Sequence, residues 1–188
     1  MQQSYDILFA SSNKNKYREA KKILSKFGIQ LEFFGVTLQE VQTNSIKEVA
    51  SDKVIGAFNK CKEPVIIEDD GLFIKSLNGF PGPYSSYIFK TIGNKGILQL
   101  VSKNRNAKFQ SVIAYCDNNG VVIFEANVRG KISNKLNGKG WGFDPIFIPE
   151  GKQQTYAKIT DKNEISHRYK ALKKFSNWYV NKRVSNES

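Results

Sequence analysis

The apolar positions of the chain follow two different periods. Short apolar runs, YDILFA and LEFFGV, predict two strands near the N-terminus. The segment between them predicts a helix, because its apolar residues recur at helical spacing until Gly28. The recurring residues are Tyr17, Ala20, Ile23, Leu24 and Phe27. The chain is therefore expected to open as strand, loop, helix and strand.

Later segments continue this alternation. SIKEVASDKVIGAFNKC predicts a helix, since Ser45 and Glu48 have the spacing of a capping box. AKFQSVIAYCD and VVIFEANVRGKI flank the turn signal NNG and predict a β-hairpin, and EISHRYKALKKFSNWYV predicts a C-terminal helix. We expect an α/β fold with a mixed sheet flanked by helices. No repeat or linker interrupts the pattern, so residues 1–188 are expected to form a single domain.

Composition narrows the class of protein only partly. The chain has 29 Lys and Arg against 17 Asp and Glu, a formal charge of +12, which favours anionic ligands without choosing among nucleotides, nucleic acid and acidic membranes. No apolar run approaches the length of a membrane span, and the N-terminus lacks a signal pattern, so we expect a cytoplasmic protein that binds no membrane. Cys61 and Cys116 indicate neither a disulfide framework nor a zinc site.

In sheets of this kind ligands bind beyond the carboxyl ends of the strands. The first such segment, SSNKNK, contains Ser11, Ser12, Asn13 and Lys16 at a predicted strand-to-helix junction. Free backbone N–H groups and the helix dipole favour phosphate there. A polar helix cap without a ligand is the simpler alternative.

The second segment, Glu68 to Gly71, is predicted as a loop that directly follows the apolar run at residues 65–67. Three adjacent carboxylates repel one another unless a cation balances them. Mg²⁺ is the simplest such cation, because it needs only one or two protein carboxylates, and Glu40 could supply a further one. An acidic turn without a metal is the alternative.

Two segments near the C-terminus carry further candidate chemistry. EISHRYKAL holds the only histidine, His167, beside Arg168 and downstream of Lys162, and these donors could bind an anion. GKGWGFDPIFIPEG places Trp141 among glycines, which suggests a platform for a flat ligand. A Trp141 side chain that folds back onto the sheet is the alternative.

Four segments together resemble one family. FASSNKNKYREAKKIL resembles A-T-G-N-x-x-K, and EDDGLFIKSLNGFPGPYSSYI resembles E-D-[ST]-G-L-x-x-x-A-L-x-G-x-P-G-x-Y-S. GWGFDPIF is similar to G-[FW]-G-[YFW]-D-P-x-F, and TYAKITDKNEISHRYKAL to T-[FY]-A-E-…-K-N-x-I-S-H-R-x-K-A-L. They occur in the order and approximate spacing of the inosine triphosphate pyrophosphatase family and span nearly the whole chain.

The resemblance implies an elongated mixed sheet, a homodimer, and Mg²⁺-assisted hydrolysis of ITP, dITP and XTP to the monophosphate and pyrophosphate. It implies that Asp69 activates water, that Glu40 and Asp69 hold the metal, and that Trp141 stacks on the purine. The positions that match substrate-binding residues of the family are Ser11, Ser12, Asn13, Lys16, Asp70, Trp141, Gly142, Phe143, Asp144, Lys162, His167 and Arg168. No stable nucleic-acid partner is expected.

The chain departs from the family pattern at three positions. Ser12 stands at a glycine position, Asp70 at a Ser or Thr position, and Lys158 at a common Glu position. These changes bear on rate and metal dependence more than on reaction class. The competing hypothesis is a basic nucleic-acid-binding domain, which explains the charge but leaves the carboxylates of Glu68, Asp69 and Asp70 unexplained.

Overall fold

The computed structural model describes residues 5–186. The strands are β1 (Ile7–Ser11), β2 (Leu31–Gly35), β3 (Val65–Ile74), β4 (Pro81–Gly82), β5 (Asn106–Asp117), β6 (Gly120–Ile132) and β7 (Phe147–Pro149). The α-helices are α1 (Lys14–Leu24), α2 (Ile46–Cys61), α3 (Ser85–Thr91), α4 (Gly93–Leu100), α5 (Lys162–Ile165) and α6 (His167–Asn186). Short 3₁₀ helices span Ser25–Phe27, Lys75–Leu77 and Tyr156–Lys158.

The strands form one mixed sheet in the order β2-β1-β3-β5-β6-β7, with β4 paired to β3. Strand β1 runs parallel to β2, where Ile7 pairs with Leu31, and parallel to β3, where Leu8 pairs with Val65. The β3–β4 and β6–β7 pairs are antiparallel. The predicted α/β class with a mixed sheet and helices is therefore confirmed.

The chain divides into two compact units. Of the described residues, the first unit contains 5–69, 112–126 and 168–186, and the second contains Asp70–Ser111 and Asn127–His167. Strands β3, β5 and β6 therefore contribute residues to both units.

The core of the first unit is formed by strand and helix residues with the predicted periods. Phe9 and Ile66 of the strands are fully buried in it together with Ile23 of α1 and Phe175 of α6. Asn13 caps α1, because its side-chain oxygen accepts a hydrogen bond from the N–H of Asn15 at 2.9 Å. The predicted stripe of α1 is thus confirmed as a core face.

Helix α2 begins where the capping signal predicts. Ser45 is its N-cap, and the Ser45 hydroxyl accepts a hydrogen bond from the N–H of Glu48 at 3.3 Å. The Glu48 carboxylate accepts a hydrogen bond from the Thr43 hydroxyl. The cap at Ser45 is therefore as predicted, but the reciprocal half of the capping box is not. The N–H of Ser45 donates to the Thr43 hydroxyl at 3.2 Å, and Thr43 takes the contact with Glu48 that the capping box predicts for Ser45.

The core of the second unit is aromatic. Phe109 meets Phe147 edge-on, with 4.7 Å between the ring centroids, and both rings pack with Tyr156. Helix α4 adds Ile97, and β3 adds Leu72, both fully buried. Helices α3 and α4 were not predicted from the sequence.

Strand β3 corrects one prediction. The loop predicted at Glu68 to Gly71 is wrong, because β3 continues through these residues to Ile74. Glu68 is fully buried, and its carboxylate lies 3.2 Å from both Lys16 Nζ and Arg168 Nε. Because neighbouring cations compensate this charge, the carboxylates can stand inside a strand and need no solvated turn.

A polar contact joins α6 to the end of β5. The Asp117 carboxylate accepts hydrogen bonds from the Tyr115 hydroxyl at 2.9 Å, from the N–H of Asn119 at 2.8 Å, and from Lys182 Nζ. Burial alone would raise the pKa of Asp117, but these three donors outweigh it and hold the pKa below its ordinary value.

No α-helix within residues 5–186 is long and apolar enough to cross a membrane.

We expect Asp117→Asn to lower the free energy of unfolding by about 1 kcal/mol near neutral pH. The loss is modest because the ion pair between Asp117 and Lys182 is partly solvated and screened. A lowered folded-state pKa stabilises the fold above the unfolded-state pKa of about 4, and this contribution is lost as pH falls through the folded-state pKa. Urea unfolding of both proteins at neutral and at strongly acidic pH measures it. A difference between them that did not shrink in acid would contradict the assignment.

Candidate active site

In the first unit, two lysines and three carboxylates lie close together. Lys53 Nζ of α2 lies 2.8 Å from Glu40 Oε1 and 2.9 Å from Asp69 Oδ1. Lys16 Nζ of α1 lies 3.2 Å from Glu68 Oε2 and 3.9 Å from Asp69 Oδ1, and donates to the backbone oxygen of Glu68 at 3.1 Å. Asp69 is thus flanked by two ammonium groups.

The segment before α1 sets the position of Lys16. The Ser11 hydroxyl accepts a hydrogen bond from the N–H of Asn13 at 3.0 Å, and Asn13 Oδ1 accepts from the N–H groups of the first helical turn. Ser12 is exposed. The polar-cap interpretation is therefore confirmed for Asn13, and phosphate binding by this segment stays a prediction.

Asp69 has the environment of a proton acceptor. Its Oδ2 atom is buried without a hydrogen-bond partner among the described residues. Burial of the carboxyl raises the pKa of Asp69, although the nearby charges of Lys16 and Lys53 oppose the rise. A carboxylate whose pKa is raised toward the working pH is a better general base.

The donor set fits Mg²⁺. Within residues 5–186 no three His, Cys, Asp or Glu side chains group together as metal ligands. Mg²⁺ does not require three, because water and phosphate oxygens complete its coordination. The Glu40 and Asp69 carboxylates already converge on one cation, the Lys53 ammonium. Asp69 Oδ2, which accepts no hydrogen bond from the part of the chain that the structure describes, offers a further oxygen ligand.

Arg168 is part of a buried charge network in the first unit. The side chain of Arg168 is 1% exposed, and its guanidinium pairs with Glu68 at 3.2 Å and with Glu19. The sequence predicted a nucleotide contact for Arg168, which stays a prediction. The contacts give it a structural role that the sequence did not indicate.

In the second unit, the glycine-rich loop is held in place on its own unit. The backbone oxygen of Asp144 accepts a hydrogen bond from the N–H of Ala157 at 3.2 Å, and the Thr155 hydroxyl donates to the backbone oxygen of Asn137. A Cβ atom on Gly138 would lie 2.9 Å from the Cβ of Ala157, so the close packing requires glycine there.

Lys162 connects the loop to α5. Its Nζ lies 2.6 Å from Asp144 Oδ2 and 5.4 Å from the centroid of the half-buried Trp141 ring, within cation–π range. Phe143 is only 5% exposed and meets Phe89 edge-on at 5.4 Å, so its side chain belongs to the core. Any contribution of Phe143 to binding would come from its backbone or from its support of Trp141.

His167 is a buried imidazole with unused hydrogen-bonding capacity. Its side chain is 3% exposed and stacks on Phe109, with 4.4 Å between the centroids and 7° between the planes. Nε2 lies 3.6 Å from Asp70 Oδ2, and neither ring nitrogen has a hydrogen-bond partner among residues 5–186.

The predicted site residues therefore fall into two groups. The first unit contains Ser11, Ser12, Asn13, Lys16, Glu40, Asp69 and Arg168, and the second contains Asp70, Trp141, Gly142, Phe143, Asp144, Lys162 and His167. Sequence reasoning missed Lys53, because a lysine within a polar helix face carries no distinguishing signal. It also assigned no role to Glu19.

Solved structures share this fold. A HAM1 protein from Coxiella burnetii matches with a TM-score of 0.81 at 28% identity, over 93% of this chain and 98% of that one. A Mycobacterium abscessus protein described as nucleoside-triphosphatase / dITP/XTP pyrophosphatase matches with a TM-score of 0.69 at 28% identity, over 90% and 96% of the two chains.

The sequence comparison identifies the family. The Ham1 family model matches residues 7–178, and the chain belongs to this family. Proteins named dITP/XTP pyrophosphatase from Methanopyrus kandleri and Hyperthermus butylicus are 48% and 45% identical to it. These matches cover 93% and 92% of this chain, and 96% and 93% of the relatives. The resemblance found in the four motifs is confirmed.

Proposed function

We propose that the chain hydrolyses deaminated purine nucleoside triphosphates, dITP, ITP and XTP, to the nucleoside monophosphate and pyrophosphate. The reaction would clear such nucleotides from the cellular pool. The observation that carries the proposal is the partly buried Asp69 carboxylate, which lies between Lys16 and Lys53 and has a raised pKa. The names of the relatives supply the substrate class.

Phosphate chemistry is assigned to the first unit. A water molecule gives a proton to Asp69 and attacks the α-phosphorus. The bond from this phosphorus to the oxygen that bridges it to the β-phosphorus then breaks. Pyrophosphate takes the electron pair and leaves, and no covalent enzyme intermediate is needed. Lys16 and Lys53 stabilise the negative charge that develops on the phosphate oxygens.

Glu40 and Asp69 are the proposed ligands of Mg²⁺. When bound, the ion neutralises charge on the triphosphate and on the leaving pyrophosphate. Ser11, Ser12 and Asn13 are proposed to add hydrogen bonds to phosphate at the start of α1. The Lys53 ammonium holds the Glu40 and Asp69 carboxylates together, which keeps both ligands oriented.

Base recognition is assigned to the second unit. Trp141 offers a stacking surface, and Lys162 and His167 offer donors to a base oxygen. The ring nitrogens of His167 support this assignment, because neither has a hydrogen-bond partner within residues 5–186, and a buried imidazole in that state is costly unless a ligand completes it. Deaminated purines carry an oxygen at C6 where adenine carries an amino group, so donors at this position select them against adenine. Guanine carries the same C6 oxygen, and it is excluded by crowding near its C2 amino group, which hypoxanthine and xanthine lack.

The three residues that depart from the family pattern have different surroundings in the structure. Asp70 lies beside His167, where it adds a negative charge to the base-recognition residues. Lys158 is exposed and lies against Gly138, so it adds positive charge near the Trp141 loop. Ser12 is exposed and leaves the cap formed by Asn13 intact.

Localisation, domain organisation and oligomeric state are also proposals. We propose that the protein acts in the cytoplasm, that residues 1–188 work as one pyrophosphatase domain, and that the chain forms a homodimer. Light scattering coupled to size exclusion tests the last of these, and a monomer at working concentration would contradict it.

A pyrophosphate-release assay tests the proposed function. We expect kcat/KM to be higher for ITP, dITP and XTP than for GTP and ATP, and release to stop when EDTA removes Mg²⁺. Equal rates for all five nucleotides would indicate a general nucleotide pyrophosphatase. Tight binding of single-stranded DNA without hydrolysis would favour the competing nucleic-acid-binding hypothesis.

Trp141→Ala should weaken all purine triphosphates alike. Stacking on a base is worth about 1–3 kcal/mol and does not depend on which purine is bound, so we expect KM for ITP and GTP to rise together by about tenfold or more. The ratio of kcat/KM between ITP and GTP should persist. Steady-state kinetics with both nucleotides measure this, and a lost preference for ITP would place base discrimination in the Trp141 loop.

A further inference from the structure

A side chain of α4, outside the four family motifs, contacts the loop that carries Trp141. Asn94 Nδ2 donates a hydrogen bond of 3.0 Å to the backbone oxygen of Gly142. Phe89 of α3 meets the ring of Phe143 edge-on. The two residues that follow Trp141 are therefore each held from the α3–α4 segment.

The conformation of Gly142 explains why this hydrogen bond matters. Gly142 has a φ of +61°, and a Cβ atom there would meet nothing within 4 Å. Without steric contacts, a glycine passes readily between this region and others, so its own backbone does not fix the direction of the peptide that follows. The Asn94 amide selects the conformation in which the carbonyl of Gly142 points toward α4.

The side-chain oxygen of Asn94 supports the assignment of the amide nitrogen as the donor. Asn94 Oδ1 is buried and has no hydrogen-bond partner among the described residues. A flipped amide would place this oxygen against the carbonyl of Gly142 and would be repulsive. The amide nitrogen is thus the group that contacts the loop, and the unbonded oxygen is the cost of placing it there.

We propose that Asn94 is a positioning residue for base recognition, which orders the Trp141 loop before substrate binds by holding the carbonyl of Gly142. The proposal rests on the proposed function, in which Trp141 stacks on the purine. A loop that populates other conformations binds more weakly in proportion to its competent fraction. Loss of the hydrogen bond therefore raises KM and leaves kcat, which depends on residues of the first unit, nearly unchanged.

Two variants remove the donor in different ways. Asn94→Leu keeps approximate size, and Asn94→Asp keeps shape and suits the first turn of a helix. Gln99→Leu, an exposed amide of the same helix, is the matched control. We expect both Asn94 variants to raise KM for ITP by about tenfold with kcat within about twofold of wild type, and the control to change neither.

Product inhibition separates base recognition from general damage. Inhibition by IMP, which carries the base, should weaken by about tenfold in the Asn94 variants, and inhibition by pyrophosphate should not change. Equal weakening of both, or a fall in kcat with KM unchanged, would overturn the proposal.

Fluorescence tests the positioning role without a measurement of hydrolysis. The chain has two tryptophans, so a Trp178→Phe background reports Trp141 alone. Acrylamide should quench Trp141 more strongly after Asn94→Leu, and Gln99→Leu should leave quenching unchanged. If wild type neither hydrolyses ITP nor binds IMP, the proposed function is wrong, and quenching still decides whether Asn94 orders the loop; unchanged quenching overturns that role.

A double-mutant cycle tests the path through Gly142. Gly142→Ala disfavours the positive φ and should also raise KM. If Asn94 acts through this peptide, Asn94→Leu combined with Gly142→Ala should cost no more than the larger single change. Fully additive effects on KM would show that Asn94 acts by another route and would overturn the proposal.

Discussion

Asp69→Asn is expected to lower kcat about a thousandfold or more, because the amide cannot accept the proton of the attacking water and is a poorer ligand for Mg²⁺. The fold should be retained. Burial raises the pKa of Asp69, so ionising this carboxyl costs more in the folded chain than in the unfolded chain, and a neutral amide removes that cost. Pyrophosphate release under saturating ITP and Mg²⁺, together with urea unfolding, measures both effects.

Asp52→Asn provides the control for this experiment. Asp52 is an exposed carboxylate on α2, next to Lys53 in sequence, and the same chemical change there should leave turnover intact. If Asp69→Asn retained turnover within about tenfold of wild type, the assignment of Asp69 as the base would be wrong. A large loss in Asp52→Asn would mean instead that charge on α2 controls the rate through Lys53.

The fold could be predicted from sequence where local signals were strong. The apolar stripe of α1, the cap at Ser45 and the NNG turn each depend on residues close together in the chain, and each prediction was confirmed. Helices α3 and α4 are short, and α4 contains two glycines, so their period is too weak to detect.

The error at Glu68 to Gly71 has a physical cause. Three acidic residues and a glycine are a loop signal only if their charges must be solvated. Here Lys16, 52 positions away in sequence from Glu68, and Arg168 neutralise the buried carboxylate, and the strand continues. Compensation by residues distant in the chain cannot be seen in a local window.

The candidate site shows the same limit. Asp69 and Glu40 stand out in sequence as carboxylates near predicted strand ends, but the lysine that joins them does not. Lys53 is one of 29 basic residues, and only the folded chain places its ammonium between the two carboxylates. Asn94 is likewise an ordinary amide until its hydrogen bond to Gly142 is seen.

Arg168 illustrates how the same residue can carry two expectations. The family resemblance predicts a nucleotide contact, whereas the geometry places the guanidinium between Glu19 and the fully buried Glu68. A stability measurement without nucleotide isolates the second role, because ligand binding cannot contribute to it.

We expect Arg168→Ala to lower the free energy of unfolding by about 3 kcal/mol in the absence of nucleotide, because it removes a cation from the buried Glu68 carboxylate and leaves Lys16 to compensate it.

Arg183→Ala is the matched control on the same helix. The Arg183 side chain is 46% exposed and pairs with Asp6 at 2.8 Å, so its loss should cost less than about 1 kcal/mol. Adding Glu68→Gln to Arg168→Ala should recover part of the stability, since the uncompensated charge is then gone. Urea unfolding of all four proteins measures these differences. If Arg168→Ala cost no more than Arg183→Ala, or if Glu68→Gln recovered nothing, the structural role assigned to Arg168 would be wrong.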